Sequence, residues 1–82
     1  MSEQILRQEL KQLIADVIET DEFNDTDSFV EQLGVDSVMV LEMVARIEKR
    51  YRIRIPEESF SQLQNLNAVV QITAEILQVV AG

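Results

Sequence analysis

Asp36 and Ser37 stand side by side behind a glycine and ahead of an apolar run, in the order Leu33-Gly34-Val35-Asp36-Ser37-Val38-Met39. A carboxylate and a hydroxyl so placed have two uses. Asp36 caps a helix that holds Ser37 in its first turn, or the hydroxyl is kept in solvent for another enzyme to modify. Self-contained serine catalysis is excluded, because a hydrolase elbow needs G-x-S-x-G and a histidine elsewhere. Here the spacing is wrong and histidine is absent. With no cysteine either, disulfides, thiolate metal sites and a cysteine nucleophile are gone, and so are imidazole zinc sites. A calcium loop fares no better. An EF-hand wants glycine sixth and glutamate twelfth, and counting from Asp21 gives Thr26 and Gln32. No metal site is expected.

The elements that must position the pair follow from periodicity. Leu6, Leu10, Leu13, Ile14 and Val17 mark an amphipathic helix over residues 3–19. Residues 19–36 carry seven acidic side chains and no basic one. They are rich in Asp, Asn, Ser and Thr, which compete with helix by bonding the local backbone, so this reads as a long loop. Phe23, Phe29, Val30 and Leu33 are expected to anchor that loop on the core. A second helix runs from Ser37 to Tyr51. Leu41, Val44, Ile47 and Glu48 mark one face, Glu48 where apolar gives way to solvent, and Met43 and Tyr51 extend the buried side. Pro56 starts a short third helix with Glu57 and Glu58 in its first turn, pinned by Phe60 and Leu63. Asn65 caps a fourth helix through Val80, and Gly82 ends the chain. The alternating Tyr51-Arg52-Ile53-Arg54-Ile55 is too short for a trusted strand and reads as a link. The fold class is all-α: three main helices, one short helix and a long first loop.

Eighty-two residues at 46% hydrophobic content make one domain, 1–82, with a thin core. The net charge of −8 repels phosphate backbones and favours a basic protein surface, so nucleic acid is not an expected partner. No window approaches a membrane span and the amino terminus lacks a signal-peptide pattern, which points to the cytoplasm. A monomer is expected.

The stretch "DSFVEQLGVDSVMVLEM", with "IPEESF" downstream, resembles the acyl carrier protein family. In that family a D-S-L segment after L-G-x opens the second helix. The resemblance covers essentially the whole chain and implies an acyl-carrier-like four-helix bundle. It implies that a phosphopantetheinyl transferase attaches 4′-phosphopantetheine from coenzyme A to Ser37, and that the chain is a carrier rather than an enzyme. Asp36 is then helix cap and contact for the transferase's Mg²⁺-centred site. The resemblance also turns Leu41, Val44 and Ile47 inward around an acyl pocket, with plain core packing as the alternative. Val38, Met39, Glu42 and Ala45 become a docking surface for acyl-transferring and condensing enzymes with basic surfaces.

Two departures separate this chain from the fatty-acid type. Val38 and Met39 follow the serine where leucine and an acidic residue are usual. Arg46, Lys49, Arg50, Arg52 and Arg54 place five of the seven basic residues within 46–54. A surface split into an acidic and a basic part favours polyketide or specialised lipid assembly. Two other readings stay open: an aminoacyl or peptidyl carrier, against which Val35 replaces a motif glycine, and a helical interaction module that bears no arm.

Overall fold

The computed structural model describes residues 2–78, with three α-helices, one short 3₁₀ helix and no β-strand among them. Helix α1 spans Glu3–Ile18, α2 Ser37–Tyr51 and α3 Leu66–Leu77, and the 3₁₀ helix covers Glu57–Gln62. Val80 and Gly82, expected to finish the last helix, lie outside the described residues.

Each α-helix starts on the signal its sequence carries. The side chains of Ser2, Asp36 and Asn65 accept from the N–H groups of Ile5, Met39 and Ala68, satisfying donors that have no partner inside the helix. Each ends on a left-handed residue other than glycine: Glu19 (φ 62°), Arg52 (φ 55°) and Gln78 (φ 56°). The third helix adopts the tighter 3₁₀ form behind Pro56, with Leu63 buried below it and Phe60 half-buried.

Helix α1 packs against both α2 and α3. Its stripe supplies Leu6, Leu10 and Ile14, all fully buried, and these meet Ile47 from α2 and Leu66, Val69 and Val70 from α3. Each such side chain contributes roughly 1.5–3 kcal/mol.

The acidic loop is held from both sides. Phe23 and Phe29 are buried, and Leu33 packs on the core. Val30 is a correction: it is 67% exposed and anchors nothing. The cause is local, because Ser28 opens a tight turn whose carbonyl accepts from both Gln32 and Leu33 N–H groups. In that turn Phe29 faces the core, so its neighbour faces out. Long-range bonds finish the attachment. Phe29 N–H donates to the Gln64 carbonyl at 2.9 Å and Asn67 N–H to the Asp25 carbonyl at 3.1 Å. Arg7 donates to the Asp25 carboxylate at 2.9 Å. Lys11 lies 5.3 Å above the Phe23 ring centre.

Candidate functional site at the head of α2

The loop delivers Ser37 through three consecutive residues. Gly34 adopts φ +65°, where a side chain would be strained although nothing crowds the space. That turn drops Val35 into the core, 3% exposed, with its N–H donating to the Phe29 carbonyl at 2.8 Å. Asp36 is then extended and caps the helix, one carboxylate oxygen accepting from Met39 N–H at 2.9 Å. Its carbonyl accepts from Val40 N–H at 3.1 Å. Ser37, first residue of the helix, is exposed, and its hydroxyl makes no hydrogen bond among the described residues.

The head of α2 therefore leaves its two outermost donors free among the described residues. Met39 and Val40 N–H groups are taken by Asp36, while those of Ser37 and Val38 have no partner in the described chain. Unpaired N–H groups at the positive end of a helix dipole suit an anionic ester, by about 0.3–1 kcal/mol at an exposed position. The geometry fits a phosphodiester on Ser37 and asks nothing to move. When bound, phosphopantetheine supplies the terminal thiol that this cysteine-free chain lacks. Asp36 and the free N–H groups of Ser37 and Val38 would orient such a group, and the exposed hydroxyl would receive it.

The residues expected to surround the serine divide. Val38 is 74% exposed and Met39 36% exposed, and Glu42 and Ala45 are exposed too, as a docking surface requires. Val44 and Ile47 are buried in the core. Leu41 is a correction: it is 53% exposed and does not face the interior. The buried stripe of α2 is Met43, Val44 and Ile47, with Val40 half-buried beside it, and Leu41 lies about 100° around the helix from Val40, one residue's turn at 3.6 residues per turn. Sequence reasoning missed Val40. That residue, three beyond Ser37, forms the α2 wall of a groove of about 370 Å³ closed by Val30, Phe60 and Leu63. The signal was present in Phe60 and Leu63, which were placed as anchors rather than lining.

At the other end of α2, Tyr51 donates its hydroxyl to Glu9 at 2.8 Å. Burial, then the hydrogen bond to Glu9 and its charge, push the phenol up to about 12, with Arg50 opposing. Glu48 reaches past the helix end to accept from Ile55 N–H at 2.8 Å, which fixes the course of the link.

Comparisons with known proteins agree with this geometry. Residues 8–73 match the family described as "Phosphopantetheine attachment site". The chain is 39% identical to an acyl carrier protein of Streptomyces coelicolor, covering 98% of this chain and 87% of that one. It is 35% identical to the polyketide-8 synthase acyl carrier protein 2 of Streptomyces avermitilis, covering 80% and 78%. A chain in the solved structure described as the ishigamide ketosynthase/chain length factor superposes with a TM-score of 0.74 at 26% identity, covering 88% of this chain and 93% of the other. The protein belongs to the acyl carrier protein family. Its role is that of a carrier of acyl groups on covalently attached 4′-phosphopantetheine.

Proposed function

We propose that the protein is one carrier domain over residues 1–82, modified on Ser37 and not itself an enzyme, which hands acyl thioesters between enzymes of polyketide or specialised lipid synthesis in the cytoplasm. The observation that carries this reading is an exposed serine hydroxyl, free of hydrogen bonds among the described residues, at the capped head of α2. The polyketide assignment is supported by the Streptomyces avermitilis relative and by the departures at Val38, Met39 and the basic segment. No helix among the described residues is long and apolar enough to cross a membrane.

A phosphopantetheinyl transferase loads Ser37, with Asp36 holding the helix head in place. Condensing and acyl-transferring enzymes with basic docking surfaces then meet Val38, Met39, Glu42 and Ala45. Leu41 joins that exposed surface. The cargo end shelters in the groove walled by Val40, Phe60 and Leu63, while Val44 and Ile47 pack in the core. Each methylene removed from water there gains roughly 0.8 kcal/mol, less the cost of parting packed side chains. Shelter of a short chain is therefore weak and readily reversed, as a shuttle needs.

Incubation with coenzyme A, Mg²⁺ and a broad-range transferase, followed by intact-mass measurement, tests the assignment. The expected result is a gain of one phosphopantetheine that Ser37→Ala abolishes completely. An unchanged mass, or a gain that survives the substitution, overturns it.

A further inference from the structure

The outward face of α2 changes sign along its length. Val38, Glu42, Ala45 and Lys49 follow one another at steps of four, three and four, and all are exposed, so they form one stripe. Arg46 flanks it, and Arg52 and Arg54 carry exposed cations past the helix end. In a chain of net charge −8, this segment holds five of the seven basic residues.

The fold itself accounts for little of that concentration. Arg46 lies 3.6 Å from Glu42 and Arg50 3.7 Å from Glu9, but the arginine side chains are 48% and 55% exposed, and solvated pairs of this kind hold little. Lys49, Arg52 and Arg54 have no carboxylate within ion-pair distance among the described residues. The helix dipole favours Lys49 and Arg50 in the last turn, yet its effect fades beyond that turn, where Arg52 and Arg54 stand. Beside the stripe a groove of about 660 Å³ opens between α1 and α2, with Arg46, Lys49 and Arg50 on one wall.

We infer that the basic end of α2 is a second docking surface, which receives an acidic patch on the condensing enzyme while that enzyme's basic rim meets Glu42 and the acidic head. The inference rests on the carrier reading and names the charge pattern of its partner. Ser37 and Lys49 are twelve residues apart, about 18 Å along a helix rising ~1.5 Å per residue. Asp36, one residue earlier, carries the carboxylate of the head, so its separation from Lys49 exceeds the screening length of about 10 Å at 0.1 M salt. Glu42 stands between the two ends and pairs with Arg46 at 3.6 Å. An incoming surface senses a negative end and a positive end. Two poles fix the direction in which α2 lies, and they disfavour an enzyme whose rim is basic throughout, since like charges across an interface suppress wrong partners. The occupant is a protein surface rather than a polyanion such as RNA, because the footprint calls for both signs within one contact.

The test uses the full phosphopantetheine-bearing chain, isotope-labelled for NMR, with an oligoglutamate peptide standing in for the acidic patch and an oligolysine peptide for the basic rim. At low salt, oligoglutamate should shift the amides of residues 46–54 and oligolysine those of residues 19–42. Lys49→Glu combined with Arg54→Glu should weaken the first interaction about tenfold and leave the second intact. The same double variant should accept acyl transfer to a fatty-acid condensing enzyme with a wholly basic rim several-fold faster than wild type at low salt, the gain vanishing at high salt. Lys49→Gln with Arg54→Gln should fall between, which separates charge from misfolding. Oligoglutamate shifts scattered over the chain or untouched by the double variant, or a transfer rate indifferent to it, overturn the inference. Failure of Ser37 to load overturns the carrier reading instead, and the mass reports that separately.

Discussion

Ser37 stands at one end of α2 with its side chain unengaged, whereas Tyr51 at the other end is tied by its hydroxyl to Glu9. The difference runs through everything around them. At the head, fixation falls to the three residues before the serine: Gly34 turns, Val35 is buried, and the Asp36 carboxylate caps. Nothing is asked of the serine, which stays available to another enzyme. At the tail, the Arg52 and Ile53 N–H groups close the helix on the Glu48 carbonyl, and side chains add a second hold, Tyr51 donating to Glu9 and Glu48 accepting from the Ile55 N–H. The exposed hydroxyl at the head is positioned by its neighbours, whereas the tail is fixed also by side chains of its own. The head should therefore respond to changes in packing and backbone, and the tail to changes in protonation.

The largest effect should come from taking away what the head rests on. Phe29 is fully buried and its carbonyl receives the Val35 N–H. Phe29→Ala should cost about 3–5 kcal/mol, a large share of the ~5–15 kcal/mol typical of a whole domain. Val30→Ser, at the exposed neighbour, should stay within about 0.5 kcal/mol. Urea unfolding of both variants measures this, and equal losses would show that the loop is not anchored by Phe29.

A smaller effect belongs to the cap. Asp36→Ala should cost about 0.5–2 kcal/mol, with Asp36→Asn close to wild type because an amide oxygen also accepts from Met39 N–H. Gly34→Ala should cost about 1–2 kcal/mol, the strain of a left-handed β-carbon, since no atom lies within 4 Å of the added group. Hydrogen exchange at the Met39 amide should quicken in Asp36→Ala and hold in Asp36→Asn. If exchange there is unchanged by either variant, Asp36 is not what closes the helix head.

Local signals in the sequence reached most of this architecture. The bounds of α2, the caps Asp36 and Asn65, and the 3.6-residue stripe of α1 depend on near neighbours, which a sequence displays. Leu41 and Val30 went astray for one shared reason. Both sit in apolar runs where each neighbouring residue is also apolar, so periodicity shows a stripe without showing its centre. On α2 the confusion has a local root, because Val38, Met39 and Leu41 are apolar yet exposed and blur the amphipathic pattern. The bonds from Phe29 to Gln64, Asn67 to Asp25 and Tyr51 to Glu9 join residues 35, 42 and 42 positions apart, and no local pattern encodes them. The basic segment 46–54 was legible as charge. That Lys49 shares a stripe with Glu42 needed the helix to be seen.

The least disruptive test is a change of pH at the tail. The phenol of Tyr51 has an ordinary value of 10.0 and is raised to about 12, by burial first and by Glu9 after it. A raised value means that the fold prefers the neutral, proton-donating form. Its contribution to stability is therefore complete below pH 10 and lost as pH climbs through about 12, where the phenolate would face the Glu9 carboxylate. Tyr51→Phe removes the hydrogen bond at every pH. It should lower stability below pH 10, and the gap from wild type should close on the way to 12. Other groups titrating in this range are common to both proteins and cancel in the difference. The chain has a single tyrosine, so phenolate absorbance reports this one group. Its midpoint in the folded protein should lie well above that of the urea-unfolded chain, while Asp36→Ala, acting at the other end, leaves that midpoint in place. A folded-state midpoint equal to the unfolded one would mean that the tail is held by packing as the head is, and the contrast between the two ends of α2 would reduce to charge alone.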